Sequence, residues 1–386
     1  MGGSLGGLTA ALWLRDAGCD VEVFERSGAT LQARGAGIVA LDATLRYLRE
    51  RRVADPDAIC ASTGWIRFLR PDGSAEAVLA HRYRYSSWTT VYRTLLTAFG
   101  PERYRLGLGV DSFAPDGDEV RLCLGGGGEY TADLLVCADG VNSTARPVLA
   151  PDAVTRYAGY VGWRGTIPEA DLSPPTRAAL QDAITYQVIP GSHILIYPIP
   201  GPDGAVEVGR RLINFVWYRN VAAGAAFQDL MTGTDGVTRQ VSLPPGLVRP
   251  EFVEEVRATA RARFAPVIAE AVTAAAEPFV QAIVDIEVPT MVRGRACLIG
   301  DAAFAVRPHA AAGTAKAAED GWMLAEHLRR AGGDVPAALR DWNTTQVALG
   351  RALLDRTREL GNSSQFTGTF RPGDPKLIFG LYGPGR

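Results

Sequence analysis

With 386 residues, 47% of them hydrophobic, the chain is long enough for two packed domains, which excludes a single small barrel or sandwich. A formal net charge of -2 excludes the broad basic excess that nucleic acid or an anionic membrane surface selects, so a small molecule is the expected partner. No uncharged apolar run approaches the ~18 residues of a membrane span, and five scattered cysteines without a C-x-x-C pair predict neither a disulfide framework nor a metal site, in keeping with a reducing cytoplasm.

The chain opens "MGGSLGGLTAALWLRDAGCDVEVFER". Gly2, Ser4 and Gly7 follow the spacing of a G-x-G-x-x-G turn, with serine in the second glycine slot. Leu8, Ala11, Leu12 and Leu14 predict an amphipathic helix that Gly18 stops. Val21, Val23 and Phe24 then alternate as a strand ending in Glu25, about 20 residues beyond the turn, where an acidic residue accepts hydrogen bonds from a ribose. Arg26 beside it is placed to stack on adenine, and Leu5 opens the helix that would receive a pyrophosphate. A β-α-β unit of this type has a strand before its turn, and here only Met1 precedes it. The expectation is a gene start assigned late; the alternative is a sheet without its central strand.

A Gly- and Ala-containing loop, "SGATLQARGAGIVAL", leads to an amphipathic helix, "DATLRYLRERR". "WIRFLRPDGSAEAVL" alternates about Pro71-Asp72-Gly73 as a hairpin, and "TTVYRTLLTAF" reads as a helix. Short strands broken by Gly and Asp-Gly turns run on to "LLVCADGVNSTAR". From about residue 155 the sequence becomes aromatic and strand-rich, as in "RYAGYVGWRGTIPE", "TYQVIPGSHILIYPIPG" and "AVEVGRRLINFVWYRN", which predict neighbours in one antiparallel sheet. The run "PEFVEEVRATARARFAPVIAEAVTAA" predicts a helix, after which "RACLIGDAAFAVRPHAAAGTAKAAEDG" returns to a buried strand, a loop and a helix. The tail "FRPGDPKLIFGLYGPGR" carries too many Gly and Pro residues for a regular element.

The first Gly turn, the Asp139-Gly140 segment and the strand-Gly-Asp-Ala-Ala stretch around Asp301, in this order, resemble the single-component FAD-dependent aromatic monooxygenases of the p-hydroxybenzoate hydroxylase type. The loop from Asp301 to Lys316, with "YVGWRG" and "PGSHILIYPIP", is most similar to the branch of that family acting on dihydroxypyridines. The resemblance implies an α/β (α+β) fold: a Rossmann-like FAD-binding domain of the glutathione-reductase type at 1–64, 88–154 and 290–362, and an inserted mixed β-sheet substrate domain at 65–87 and 155–289. A tail covers 363–386. It also implies that Asp301 meets the ribityl chain, that Ala311, Ala312, Gly313 and Thr314 present amides to the flavin ring, and that Asp139 and Gly140 lie by the pyrophosphate. Arg34 and Arg93 would face the flavin. NADPH or NADH and O2 would be co-substrates, and a ring would be hydroxylated through a flavin C4a-hydroperoxide. A homodimer is compatible with this reading.

Hydroxylation of a hydroxylated ring needs a base, and the four histidines can be searched by elimination. His327 falls in a predicted helix and His81 in an arginine-rich loop; His309, directly after Pro308, and His193, at the start of a sheet strand, both remain as candidates, with Pro308 shaping the same loop. Tyr160, Trp163 and Tyr197 are candidate aromatic walls for the substrate. Two rival readings are a flavin-dependent halogenase, because "GWRGTIP" partly matches a W-x-W-x-I-P stretch with Gly165 in the second tryptophan position, and a non-catalytic flavin-binding remnant.

Overall fold

The computed structural model describes residues 1–31 and 36–386. In chain order, the elements that build the site are α1 (Leu5–Asp16), β1 (Val23–Glu25), β2 (Gly37–Val39), β3 (Ala61–Leu69), β4 (Ala75–Ser87), α2 (Trp88–Phe99), β5 (Tyr104–Leu106), β6 (Leu135–Cys137), β7 (Val154–Pro168), β8 (Ala183–Ile189), β9 (Ser192–Ile199), β10 (Leu212–Asn220), β11 (Phe279–Glu287), β12 (Ala296–Leu298), α3 (Gly313–Arg330) and α4 (Val335–Asn362).

The glycine turn comes from close approach of backbone. Gly2 has φ +92°, and a Cβ there would lie 2.3 Å from Ala138 O; a Cβ on Gly7 would lie 1.9 Å from Gly2 O. Ser4 is the extended residue before α1. The helix buries Leu8 and Leu12, each adding about 1.5–3 kcal/mol of apolar transfer, and crosses α3 so closely that a Cβ on Gly321 would lie 2.6 Å from Ala10 Cα. β1 pairs in parallel with β5, and β6 with β12. Between these two small sheets run only Met1 and Gly2: Met1 N donates to Val136 O (2.6 Å), Ala138 N to Met1 O (2.8 Å) and Gly2 N to Phe24 O (2.8 Å). Among the described residues no strand lies between β1 and β6. A cavity of about 1360 Å³ opens there, lined by Met1, Ala10, Val23, Leu135 and Leu328, and contains none of the residues singled out as catalytic.

A nine-stranded mixed sheet forms the second region, in the order Ser242–Leu243, β11, β7, β10, β9, β8, β3, β4, β2. It takes in Gly37–Val39, expected to be loop, and its strand β3 begins at Ala61, so it draws on residues within the span 1–64. One face packs through Trp163, Ile196 and Trp217 onto the helices Pro250–Arg263 and Pro266–Ala274. These are two helices where one was expected, because Pro266 has no amide to continue the first and instead starts the second. The opposite face carries Tyr160, Leu195, Tyr197, Val216 and Tyr218. The tail, although irregular, is packed: Phe379 and Leu381 are buried, Phe379 N donates to the Tyr83 hydroxyl (2.9 Å), and Arg356 holds the carbonyls of Ile378 and Gly380 at 2.7 Å.

Candidate functional site

A cavity of about 380 Å³ opens where the N-termini of α1 and α3 face the tyrosine-bearing side of the large sheet. Its first wall is mostly backbone. Ser4 and Leu5 begin α1, Gly140 has φ +74°, and Ala311, Gly313 and Thr314 lead into α3, with Ala311 held at φ +53°. The first amides of both helices have no carbonyl within the helix to bond, so two positive helix ends face one space. Glu25 fixes the turn beneath: its carboxylate accepts from Gly3 N (2.9 Å) and Ser27 N (2.8 Å).

Asp301 reaches into the cavity beside these amides, and the protein packed around it raises its carboxyl to about 6. Its turn is pinned from behind. Lys316 and Asp320, both fully buried, form an ion pair one helical turn apart, and Asp320 also accepts from Gly300 N at 2.9 Å. Asp139 folds away, its Oδ2 accepting from Thr144 N (2.8 Å) and Ala145 N (3.2 Å), while its Oδ1 is buried without a protein partner. Arg146 clamps this turn to the carbonyls of Val141 and Ala302. Gly2, Gly7 and Ala312 support the wall from within. Arg26 is exposed and Arg93 half-buried on α2, and neither lines the cavity; Arg34 lies outside the described residues. Two helix N-termini, glycines without room for a side chain, a free acidic acceptor and an orphaned Asp139 oxygen fit a dinucleotide with polar ribityl and pyrophosphate groups.

The second wall is made of side chains. Arg164, Leu195, Tyr197, Val216, Tyr218 and Gln281 project from β7, β9, β10 and β11, and Phe379 of the tail closes the inner end. Tyr197 donates to Gly37 O at 3.0 Å. Tyr160 lies on the same sheet face but is buried, its hydroxyl 2.7 Å from His309 Nε2. Trp163 corrects the expectation of a substrate wall: one residue out of phase with Tyr160, it points to the opposite face and packs among Ile196, Trp217 and the helices.

His193 and His309 do not line the main cavity. They border a small void of about 20 Å³ behind it, sharing the walls Leu195, Tyr218, Pro308 and Phe379 with it. Their ring centroids are 5.3 Å apart, and Phe370 stacks on His193. The π-helix Ser363–Thr367 brings Gln365 Nε2 to 3.2 Å from His193 Nδ1. Burial holds His193 down at about 3; burial, then His193 and the cation of Arg307, hold His309 well below the usual imidazole value, so both rings are neutral at physiological pH. His81 is on strand β4 against Tyr83, where a loop was expected, and His327 Nδ1 is 2.8 Å from Met323 O within α3. Sequence reasoning missed Arg164, Tyr218, Gln365 and Phe379. Strand parity with Tyr160 identifies the side of Arg164; nothing local marks the tail residues.

The chain is 36% identical over 382 residues to 2,6-dihydroxypyridine 3-monooxygenase of Paenarthrobacter nicotinovorans, covering 99% of this chain and 94% of the relative. The chain belongs to the FAD-dependent aromatic monooxygenases. A family profile described as FAD binding domain-like matches residues 157–285 of the monooxygenase. The solved structure of 2,6-dihydroxypyridine-3-hydroxylase from Arthrobacter nicotinovorans superposes with a TM-score of 0.91 at 34% identity, covering 98% of this chain and 95% of that one. An FAD-dependent urate hydroxylase of Klebsiella pneumoniae is 27% identical, covering 93% of this chain and 86% of the relative. This monooxygenase therefore uses FAD, with NAD(P)H and O2, to hydroxylate a hydroxylated aromatic or heteroaromatic ring. The halogenase alternative finds no geometric support: a Cβ on Gly165 would lie 2.5 Å from the Phe215 ring, leaving no room for tryptophan, and Lys316 is buried against Asp320.

Proposed function

We propose that the monooxygenase hydroxylates a dihydroxypyridine or a closely similar hydroxylated N-heteroaromatic ring. The observation that carries this reading is the cavity itself, with the dinucleotide-binding wall on one side and a compact aromatic wall of Tyr197, Tyr218 and Phe379 on the other. Near-complete coverage by a dihydroxypyridine-acting relative supports it. Ser4, Leu5, Gly140, Asp301, Gly313 and Thr314, with Glu25 behind, would hold FAD, which would carry two electrons from NAD(P)H to O2 so that one oxygen atom of O2 enters the ring and the other leaves as water. Gly2, Gly7, Asp139, Ala311 and Ala312 shape its cradle, and Arg26 and Arg93, away from the cavity lining, are cations outside it.

The polypeptide must then do three things: orient the ring, exclude water and move the hydroxyl proton. Val216, Leu195 and Phe379 exclude water from the inner end of the cavity. His309 and Tyr160 form the proton outlet, with Pro308 fixing the turn that presents the histidine. Because the His309 imidazolium is disfavoured by burial, the ring passes a proton on and does not retain it. His193, held by Gln365, positions His309 through ring contact. No helix among the described residues is long and apolar enough to cross a membrane, and the five unpaired cysteines support a reducing cytoplasm.

The test is oxidation of NADH and NADPH by the FAD-loaded protein under labelled O2. The reading predicts that 2,6-dihydroxypyridine accelerates oxidation and gains one labelled oxygen. Oxidation that no hydroxylated pyridine accelerates, or that yields only hydrogen peroxide, overturns it.

A further inference from the structure

Arg164 is half-buried in the middle of β7, opposite Val216 on β10 and Phe279 on β11, and faces the cavity. It makes no hydrogen bond or ion pair among the described residues. Other buried arginines of the same sheet region are matched: Arg211 pairs with Glu169 at 2.7 Å, and Arg307 with Asp285 at 2.9 Å. Among the described walls of the cavity only Arg164 and Asp301 carry charge, and they lie on opposite sides, Asp301 with the dinucleotide wall and Arg164 with the sheet. A guanidinium that faces a cavity without a counter-ion leaves its charge and its N–H donors to whatever ligand enters, and an anionic ligand completes the pair.

We propose that Arg164 is the anion-binding residue of the substrate cavity, taking the ring as an oxyanion with one hydroxyl deprotonated and its charge set against the guanidinium. The inference rests on the ring-hydroxylating reading above and names the ionisation state in which the ring is held. The O–H bond breaks, its electron pair stays on the oxygen opposite Arg164, and the proton leaves to solvent. The extra electron density on the ring is what makes its carbon nucleophilic. The groups facing Arg164 do not supply this charge. Tyr197 on β9 and Tyr218 on β10 are kept protonated by burial, although the nearby Arg164 charge opposes that; Gln281 on β11 is neutral; Asp301 lies across the cavity; Asp285 is already paired with Arg307 and Arg358. His193 and His309, behind Tyr218, are held neutral by burial and carry no negative charge.

The experiment uses the FAD-loaded protein without nicotinamide and under anaerobic conditions, so that binding is read apart from turnover. Ultraviolet spectra of bound 2,6-dihydroxypyridine are titrated against pH, with 2,6-dimethoxypyridine as the ring that has no ionisable hydroxyl. In the native protein the bound ring is expected to ionise about 1–3 pH units below the free ring. Arg164→Gln returns that ionisation to its solution value and weakens dihydroxypyridine binding about tenfold or more, while dimethoxypyridine binds as before and FAD content is unchanged; Arg164→Lys retains most of the shift. An unshifted ionisation in the native protein, or an Arg164→Gln protein that matches it, overturns the role of Arg164 while leaving the substrate reading intact. Equal loss of both rings in Arg164→Gln assigns Arg164 to cavity shape and also overturns it. A native protein that binds neither ring overturns the dihydroxypyridine reading and this inference together.

Discussion

The two walls of the cavity are built in different ways. The dinucleotide wall consists of backbone brought so close that Gly2 and Gly7 have no room for a Cβ, with a single acid, Asp301, projecting from it. The sheet wall consists of side chains selected by alternation along four strands, on a backbone that tolerates many residues. A backbone wall is intolerant of any added atom and fixed in its ligand, whereas a side-chain wall can change its ligand without changing the fold. Affinity for the cofactor is therefore expected to fail through sterics, and choice of substrate through the identity of a few outward-facing residues.

The largest effect should come from Gly7→Val. With only 1.9 Å between its Cβ position and Gly2 O, the α1 turn cannot form, and the expected outcome is loss of soluble, flavin-containing protein, read by visible absorbance of the purified material. If that variant stayed yellow and stable, the steric account of the first wall would be wrong. Next comes Trp163→Ala, which empties the far face of the sheet. It should cost about 3–5 kcal/mol of stability in denaturant unfolding, with the KM for the ring essentially unaltered where the protein remains folded. A KM change larger than the stability loss would return Trp163 to the substrate wall.

Asp301 gives the pH test. With its carboxyl raised to about 6 in the cofactor-free protein, it is charged above that pH and neutral below it, so FAD uptake should weaken as pH falls through about 6. Losing a charged acceptor corresponds to roughly tenfold in affinity. Asp301→Asn should bind at the weaker level throughout and abolish the pH step, as measured by quenching of flavin fluorescence. The smallest effect expected is that of Tyr197→Phe, which removes one hydrogen bond to Gly37 O, about 0.5–1.5 kcal/mol. It should appear as a modest rise in KM at constant flavin content.

The same contrast explains what the amino-acid sequence made legible. Glycine spacing, the acid at position 25 and the Gly-Asp-Ala-Ala stretch are local patterns, and local patterns hold backbone walls together. The sheet wall depends on parity and on long-range pairing. Tyr160 and Trp163 look alike as neighbouring aromatics, yet a three-residue offset sends them to opposite faces, and a four-residue offset returns Arg164 to the face of Tyr160. The tail was the harder case. Its glycines and prolines signal the absence of regular structure, and that signal is silent about packing; Phe370 and Phe379 are placed by contacts with β4, His193 and the loop at Ala310, from far back in the chain.

That tail has a consequence for how the enzyme is made. Phe379 N bonds a tyrosine hydroxyl 296 residues earlier, and Gly380 N bonds Ala310 O in the loop that leads into α3. Domains generally fold from the N-terminal side during synthesis, yet here the chamber has no inner end until residues beyond 380 have cleared the ribosome. Until then the nascent protein leaves that end of the cavity, with Leu195, Val216 and Tyr218, uncovered.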